Sequence, residues 1–119
     1  MTQDKEILLK DLCARLPYGI KCEYKDEVYD ILGIAHGRLI LCKPLMSSTL
    51  KDCPLVEEVT PYLFPLSSLT DEQKDDMIKS SCGIGSDKNV FDWYNKNHFD
   101  YRNLINKNLA IDCTNLNIY

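Results

Sequence analysis

The sequence predicts an α+β domain: a short antiparallel sheet of three to four strands, an N-terminal helix and two to three C-terminal helices. Three observations carry this. An amphipathic opening segment stops at Pro17 and Gly19. Three runs rich in β-branched and apolar residues follow, separated only by tight-turn signals. From Thr70 onward, capping residues recur ahead of helix-length segments.

The first helix is expected from Thr2 to about Leu16. Ile7, Leu8, Cys13 or Leu12, and Leu16 repeat near helical spacing, while Asp4, Lys5, Glu6, Lys10 and Asp11 take the other side. Asp4 and Glu6 suit the positive end of the helix dipole. A strand is expected over Ile20–Tyr24, where Ile20, Cys22 and Tyr24 alternate with Lys21 and Glu23. Lys25-Asp26 turns the chain into a second strand, Val28–Ala35, and His36-Gly37 turns it into a third, Arg38–Lys43. The continuous apolar run of that third strand predicts burial on both faces. The first helix is the natural cover for the sheet.

Beyond residue 45 the pattern is weaker. Leu55–Val59 reads as a short strand. Pro61 and Pro65 fix Thr-Pro-Tyr-Leu-Phe-Pro-Leu as an extended passage, because each restricts the residue before it. Thr70 and Gln73 form a capping box for a largely solvated helix to about Ser80. Ser86 or Asp87 caps a helix to about Asn97, carrying Val90, Phe91, Trp93 and Tyr94. Asp100 is placed to cap a last short helix over Tyr101–Lys107, with Asn108 in the left-handed closing position. The tail from Leu109 ends in Tyr119 and is expected to dock. No linker divides the 119 residues, so one domain over 1–119 is expected.

Composition narrows the function. Apolar residues make up 45% and charged residues 27%, an ordinary globular balance. The net charge is −4 with the basic residues scattered, which argues against general nucleic-acid binding. The opening Met-Thr-Gln-Asp-Lys-Glu lacks the basic-then-apolar order of a secretory signal, and no run is long enough to span a membrane. A cytoplasmic protein without membrane attachment is expected. Its six cysteines include no Cys-x-x-Cys pair, so they read as reduced, mostly buried thiols rather than as zinc ligands or disulfides. No metal or cofactor is expected.

Val59–Thr70 (Val-Thr-Pro-Tyr-Leu-Phe-Pro-Leu-Ser-Ser-Leu-Thr), Phe91-Asp92-Trp93 and His98-Phe-Asp-Tyr-Arg-Asn-Leu-Ile105 with Leu109-Ala110 are distinctive strings. Together with Leu9–Gly19, they resemble a group of small proteins encoded in gut Bacteroidetes genomes and their phages. Phe64 stands where the group has Arg, and Asn108 where it has Gly. The resemblance implies a genomic setting and supplies no activity or catalytic residue. A phage or mobile-element setting suggests a small protein that blocks part of a host defence pathway.

Candidate sites compete with plainer structural roles. His98 and Arg102, with backbone amides at Gly83, Gly85 and Ser86, make a set that holds an anionic, nucleotide-like ligand, Arg102 clamping and His98 donating a proton. The plainer reading makes His98 a helix terminus and Asp100 a cap. Cys82 beside Gly83 is the nucleophile a cysteine hydrolase would use with a histidine, though nothing nearby marks it as activated. Asp71, Glu72, Asp75 and Asp76 read as a solvated helix face. Tyr62, Phe64 and Leu66 form a proline-stiffened, partner-binding edge if they stay exposed. A non-enzymatic interaction domain, binding another protein or itself, is the leading expectation.

Overall fold

The structure is a computed structural model and describes residues 2–43, 53–80, 86–116 and 118–119. Helix α1 spans Thr2–Arg15 and is followed by a 3₁₀ turn, Leu16–Tyr18, that takes Pro17 at its start. Strands β1 (Lys21–Tyr24), β2 (Glu27–Ala35) and β3 (Arg38–Cys42) form an antiparallel meander. Both connecting turns need left-handed backbone at two successive residues. Lys25 and Asp26 have φ 51° and 64°, and His36 and Gly37 have φ 54° and 75°. That is the turn hand that matches strand twist.

The sheet buries one face against α1. Leu8 and Leu12 from the helix meet Cys22, Ile31, Leu39, Leu41 and Leu63 in one core cluster. A β-bulge between Ile31 and Gly33 sets the phase of β2. It inserts Leu32, so that both Ile31 and Ile34 face inward despite their odd spacing. Strand β3 is not buried on both faces along its whole length as expected. It alternates over its first four residues, with Leu39 and Leu41 buried and Arg38 and Ile40 exposed, and is buried on both faces only at its end, where Cys42 follows Leu41.

The largest departure is in the second half. The proline-spaced passage is a strand, β4 (Thr60–Pro65), in the middle of a six-stranded mixed sheet. β1 pairs with it antiparallel. The two-residue strands β5 (Phe99–Asp100) and β6 (Ile111–Asp112) pair with it parallel. The prolines are tolerated because of which way they point. Alternate residues of a strand direct their N–H and C=O to opposite edges. Pro61, Leu63 and Pro65 share one edge, where Leu63 C=O accepts the Cys113 N–H at 3.0 Å. The missing proline donors fall on that edge outside the two-residue stretch that β6 occupies.

Other differences are local. Leu55–Val59 is not a strand; Val56–Glu58 is a 3₁₀ turn, closed by the Leu55 N–H donating to Glu58 Oε2 at 3.1 Å. Tyr101–Lys107 is turns rather than a helix. The Asp100 carboxylate accepts from the Leu104 and Ile105 amides, both at 2.9 Å, and left-handed Asn103 (φ 62°) interrupts helical backbone between them. The Thr70–Gln73 capping box forms as read, with Thr70 N–H donating to Gln73 and Gln73 N–H donating to Thr70 Oγ1. It starts α2 (Asp71–Ser80), and α3 follows over Ser86–Lys96. Trp93 Nε1 donates to Asp76 Oδ2 at 2.8 Å, tying the two helices. Asn108 is left-handed as expected, at φ 61°.

One buried cluster joins the two halves. Arg15 and Asp11, one helical turn apart, are both fully buried, with Arg15 Nε donating to Asp11 Oδ2 at 2.8 Å and Nη2 to Oδ1 at 3.2 Å. Arg15 Nη2 also donates to the Phe99 carbonyl at 2.6 Å, and Nη1 reaches that of Tyr94 at 3.4 Å. Arg102 Nε donates to the same Asp11 carboxylate at 3.1 Å. Both guanidiniums lie over the Tyr101 ring, at 5.4 and 4.8 Å from its centre.

Removing one member of a buried pair strands the other charge. Asp11→Ala is therefore expected to cost about 3–5 kcal/mol in urea unfolding. A loss below about 1 kcal/mol would show that the cluster does not constrain the fold.

Candidate functional site

The site begins where β1 leaves β4. Glu23 pairs with Thr60 and Cys22 with Pro61. The next pair in register would be Lys21 with Tyr62, but the strands have parted. The Tyr119 hydroxyl fills the gap: it accepts the Lys21 N–H at 2.9 Å and donates to the Tyr62 carbonyl at 2.9 Å. Two residues further along the same edge, the Phe64 N–H donates to the His98 carbonyl at 2.8 Å. β1 and β5 thus take turns on one edge of β4, and a phenol spans the fork between them.

Local sequence sets this geometry. His98 turns the chain from α3 into β5 with φ 65°, a conformation histidine adopts more readily than most side chains. Its imidazole stacks on the Tyr119 ring, with centres 3.6 Å apart and planes 8° from parallel. Phe64 packs against Phe99 and Tyr119. Gly19 (φ 86°) lets the chain turn from Tyr18 into the start of β1. The expectation that the tail docks is met at Tyr119.

Outside the fork lies a cavity of about 350 Å³. Its rim carries Tyr18 (41% exposed), Leu32 (56%) and Tyr119 (41%). One wall is a cross-strand ion pair, Lys21 Nζ to Asp30 Oδ1 at 2.7 Å. His98 forms part of the back, and its Nδ1 is buried with no hydrogen-bond partner. Burial, reinforced by Arg15 and Lys21, lowers the His98 pKa to about 4, so the ring is neutral at physiological pH. Burial raises the Tyr119 phenol above its usual range. Among the described residues, the cavity lining contains no serine, threonine or cysteine. Apolar side chains and one charge pair share its lining.

The structure places the sequence candidates apart. His98 lines this cavity, whereas Arg102 is engaged by Asp11 and donates from Nη2 to the Tyr101 hydroxyl at 3.0 Å. A neutral imidazole does not supply the proton-donating role expected of His98 at physiological pH. Gly83, Gly85 and Cys82 lie outside the described residues, and Ser86 begins α3 without a described side chain. Tyr62 is buried and Phe64 half-buried, so the expected exposed edge reduces to Leu66. Leu66 borders a second cleft of about 430 Å³ beside Asp100, whose two carboxylate oxygens are taken by backbone amides. Among the described cysteines, Cys22 and Cys113 are buried and free, their thiols pushed up to about 12 and about 11 by burial. Neither is a ready nucleophile.

Sequence reasoning did not single out Tyr18, Lys21, Asp30 or Leu32. Lys21 and Asp30 were visible as polar positions in two adjoining strands, and their register would have paired them. Leu32 carries no comparable sign, because the bulge that exposes it depends on the strand opposite. The chain matches no family model, no curated protein and no solved structure.

Tyr119→Phe keeps the stacked ring and deletes the bridge. It should cost about 0.5–1.5 kcal/mol in denaturant unfolding, because the Lys21 N–H and Tyr62 C=O lose their shared partner. A neutral effect would mean the bridge contributes nothing.

The lowered His98 pKa gives a signed pH effect. Between pH 6.5 and about 4 the unfolded chain takes up a proton that the fold resists. The associated stability is complete above the unfolded pKa and is lost as pH falls toward 4. The difference between wild type and His98→Phe should shift by roughly 1–2 kcal/mol toward the variant from pH 7 to 4, discounted for partial exposure. Urea unfolding across that range checks it; a pH-independent difference would refute the neutral, buried imidazole.

Proposed function

We propose that the protein is a non-enzymatic interaction domain that receives a partner on the outer face of β1 and β2, beside the fork. One observation carries this reading: three large, exposed apolar side chains, Tyr18, Leu32 and Tyr119, ring a single cavity. Scattered exposed apolar residues are normal, but a cluster around a concave surface marks a contact site. Ile40 extends the patch from β3, where it faces Gly33 across the strands. The Lys21–Asp30 pair supplies orientation at the rim.

The anionic-ligand reading has less support. Arg102 is already engaged by a carboxylate, and Lys21 at the cavity wall is matched by Asp30. A cysteine-dependent reaction would rest on Cys82, outside the described residues. No described helix is long and apolar enough to cross a membrane.

Cross-linking in living cells, read by mass spectrometry, tests the proposal. Intermolecular links should concentrate at Lys21 and its neighbours, and Leu32→Asp should weaken the complex at least about tenfold, as loss of a central apolar anchor does. The melting temperature should move by no more than a few degrees, since the side chain is exposed. Links on the α2–α3 side that Leu32→Asp leaves unchanged would sink the proposal.

A further inference from the structure

We infer that the partner on this outer face is a second copy of the same chain, in a two-fold dimer that seats each Leu32 in the other copy's cavity. The inference rests on the interaction reading above and names its occupant. It follows from the register of the β1–β2 hairpin.

Lys21 lies opposite Asp30 on the outer face. The ladder continues one residue beyond β1, since the Ile31 N–H donates to the Ile20 carbonyl at 3.0 Å. The next position in that register sets Leu32 opposite Gly19. A two-fold axis lying in the interface, parallel to the strands and midway between β1 and β2, exchanges the two strands. It therefore brings Lys21 of each copy over Asp30 of the other. The same operation brings Leu32 of each copy over Gly19 of the other.

Both juxtapositions are complementary. Lys21 and Asp30 carry opposite charges on side chains that are each partly exposed, so their rotated images meet head to tail. Gly19 faces open space: a Cβ built there would meet nothing within 4 Å. That space belongs to the cavity walled by Tyr18 and Tyr119. Leu32 stands out of the ladder on its bulge and is the most exposed apolar residue on this face. An isologous interface requires a surface that complements its own rotated image, and here one axis satisfies the charge pair and the apolar knob together. The contact is a sheet-on-sheet packing with strands aligned, at a separation of about 10 Å.

Sedimentation and native mass spectrometry of the full chain, from about 5 μM to about 500 μM, test this across the range where a modest interface associates. The expected species is a dimer that Leu32→Asp weakens at least tenfold. Lys21→Asp and Asp30→Lys should each weaken self-association, and mixing these two variants should give the mixed dimer in excess of either homodimer. The double swap should restore dimerisation, which controls for misfolding of a single variant. A chain that stays monomeric throughout overturns the inference, as does a dimer indifferent to Leu32→Asp whose charge variants mix statistically. If the monomeric chain still cross-links in cells through Lys21 to another protein, only the homodimer falls. If it forms no link there, the interaction reading falls with it.

Discussion

The fold depends on a guanidinium that no water reaches. Arg15 ends α1 with its charge fully buried, and it satisfies that charge on Asp11 and on the Phe99 carbonyl. A lone buried cation would cost several kcal/mol, so its partners are obligatory. Because one partner is a carbonyl of β5, the helix cannot settle on the sheet without also fixing the segment that joins α3 to β5. Arg102 then returns from the far end of that segment to the same carboxylate. A cluster of four side chains, Asp11, Arg15, Tyr101 and Arg102, thereby holds sequence-distant elements in one arrangement.

That arrangement explains how the fork can stay open. With β5 held by Arg15, the upper edge of β4 is occupied from residue 64, and β1 must leave before it arrives. Two backbone groups, the Lys21 N–H and the Tyr62 C=O, are left without a strand partner between them. A phenol long enough to reach between strands satisfies both at once. The neutral His98 ring lies flat against that phenol, and an imidazolium in its place would sit close to Arg15 and Lys21. The outer cavity is thus a by-product of a sheet that changes partners midway.

The parts legible in the sequence were those whose causes are local. Apolar spacing marked α1, two turn pairs marked the meander, and Thr70 with Gln73 announced α2. The missing parts were non-local. β5 and β6 are two residues each, too short for any alternation, and exist only because β4 offers free edges. The prolines of β4 argued for an isolated extended passage. Their actual tolerance depends on which edge β6 uses and for how long, information that lies about fifty residues away in the chain. The candidate site divides the same way. His98 stood out as a histidine beside a carboxylate and an arginine, yet its ring belongs with Tyr119, and the arginine belongs with α1.

The bulge at Leu32 separates two properties that usually travel together. Shortening β2 by that one residue would restore an unbroken ladder and leave Gly33 to Ala35 with the partners and faces they have now, Ile34 still opposite Leu39. What the outer face presents at this point is therefore independent of what the core packs. The side chain at the bulge answers to no interior neighbour and is free to drift. On the proposed reading, exchanging the one protruding group there would change what the surface meets while leaving the packing beneath it intact.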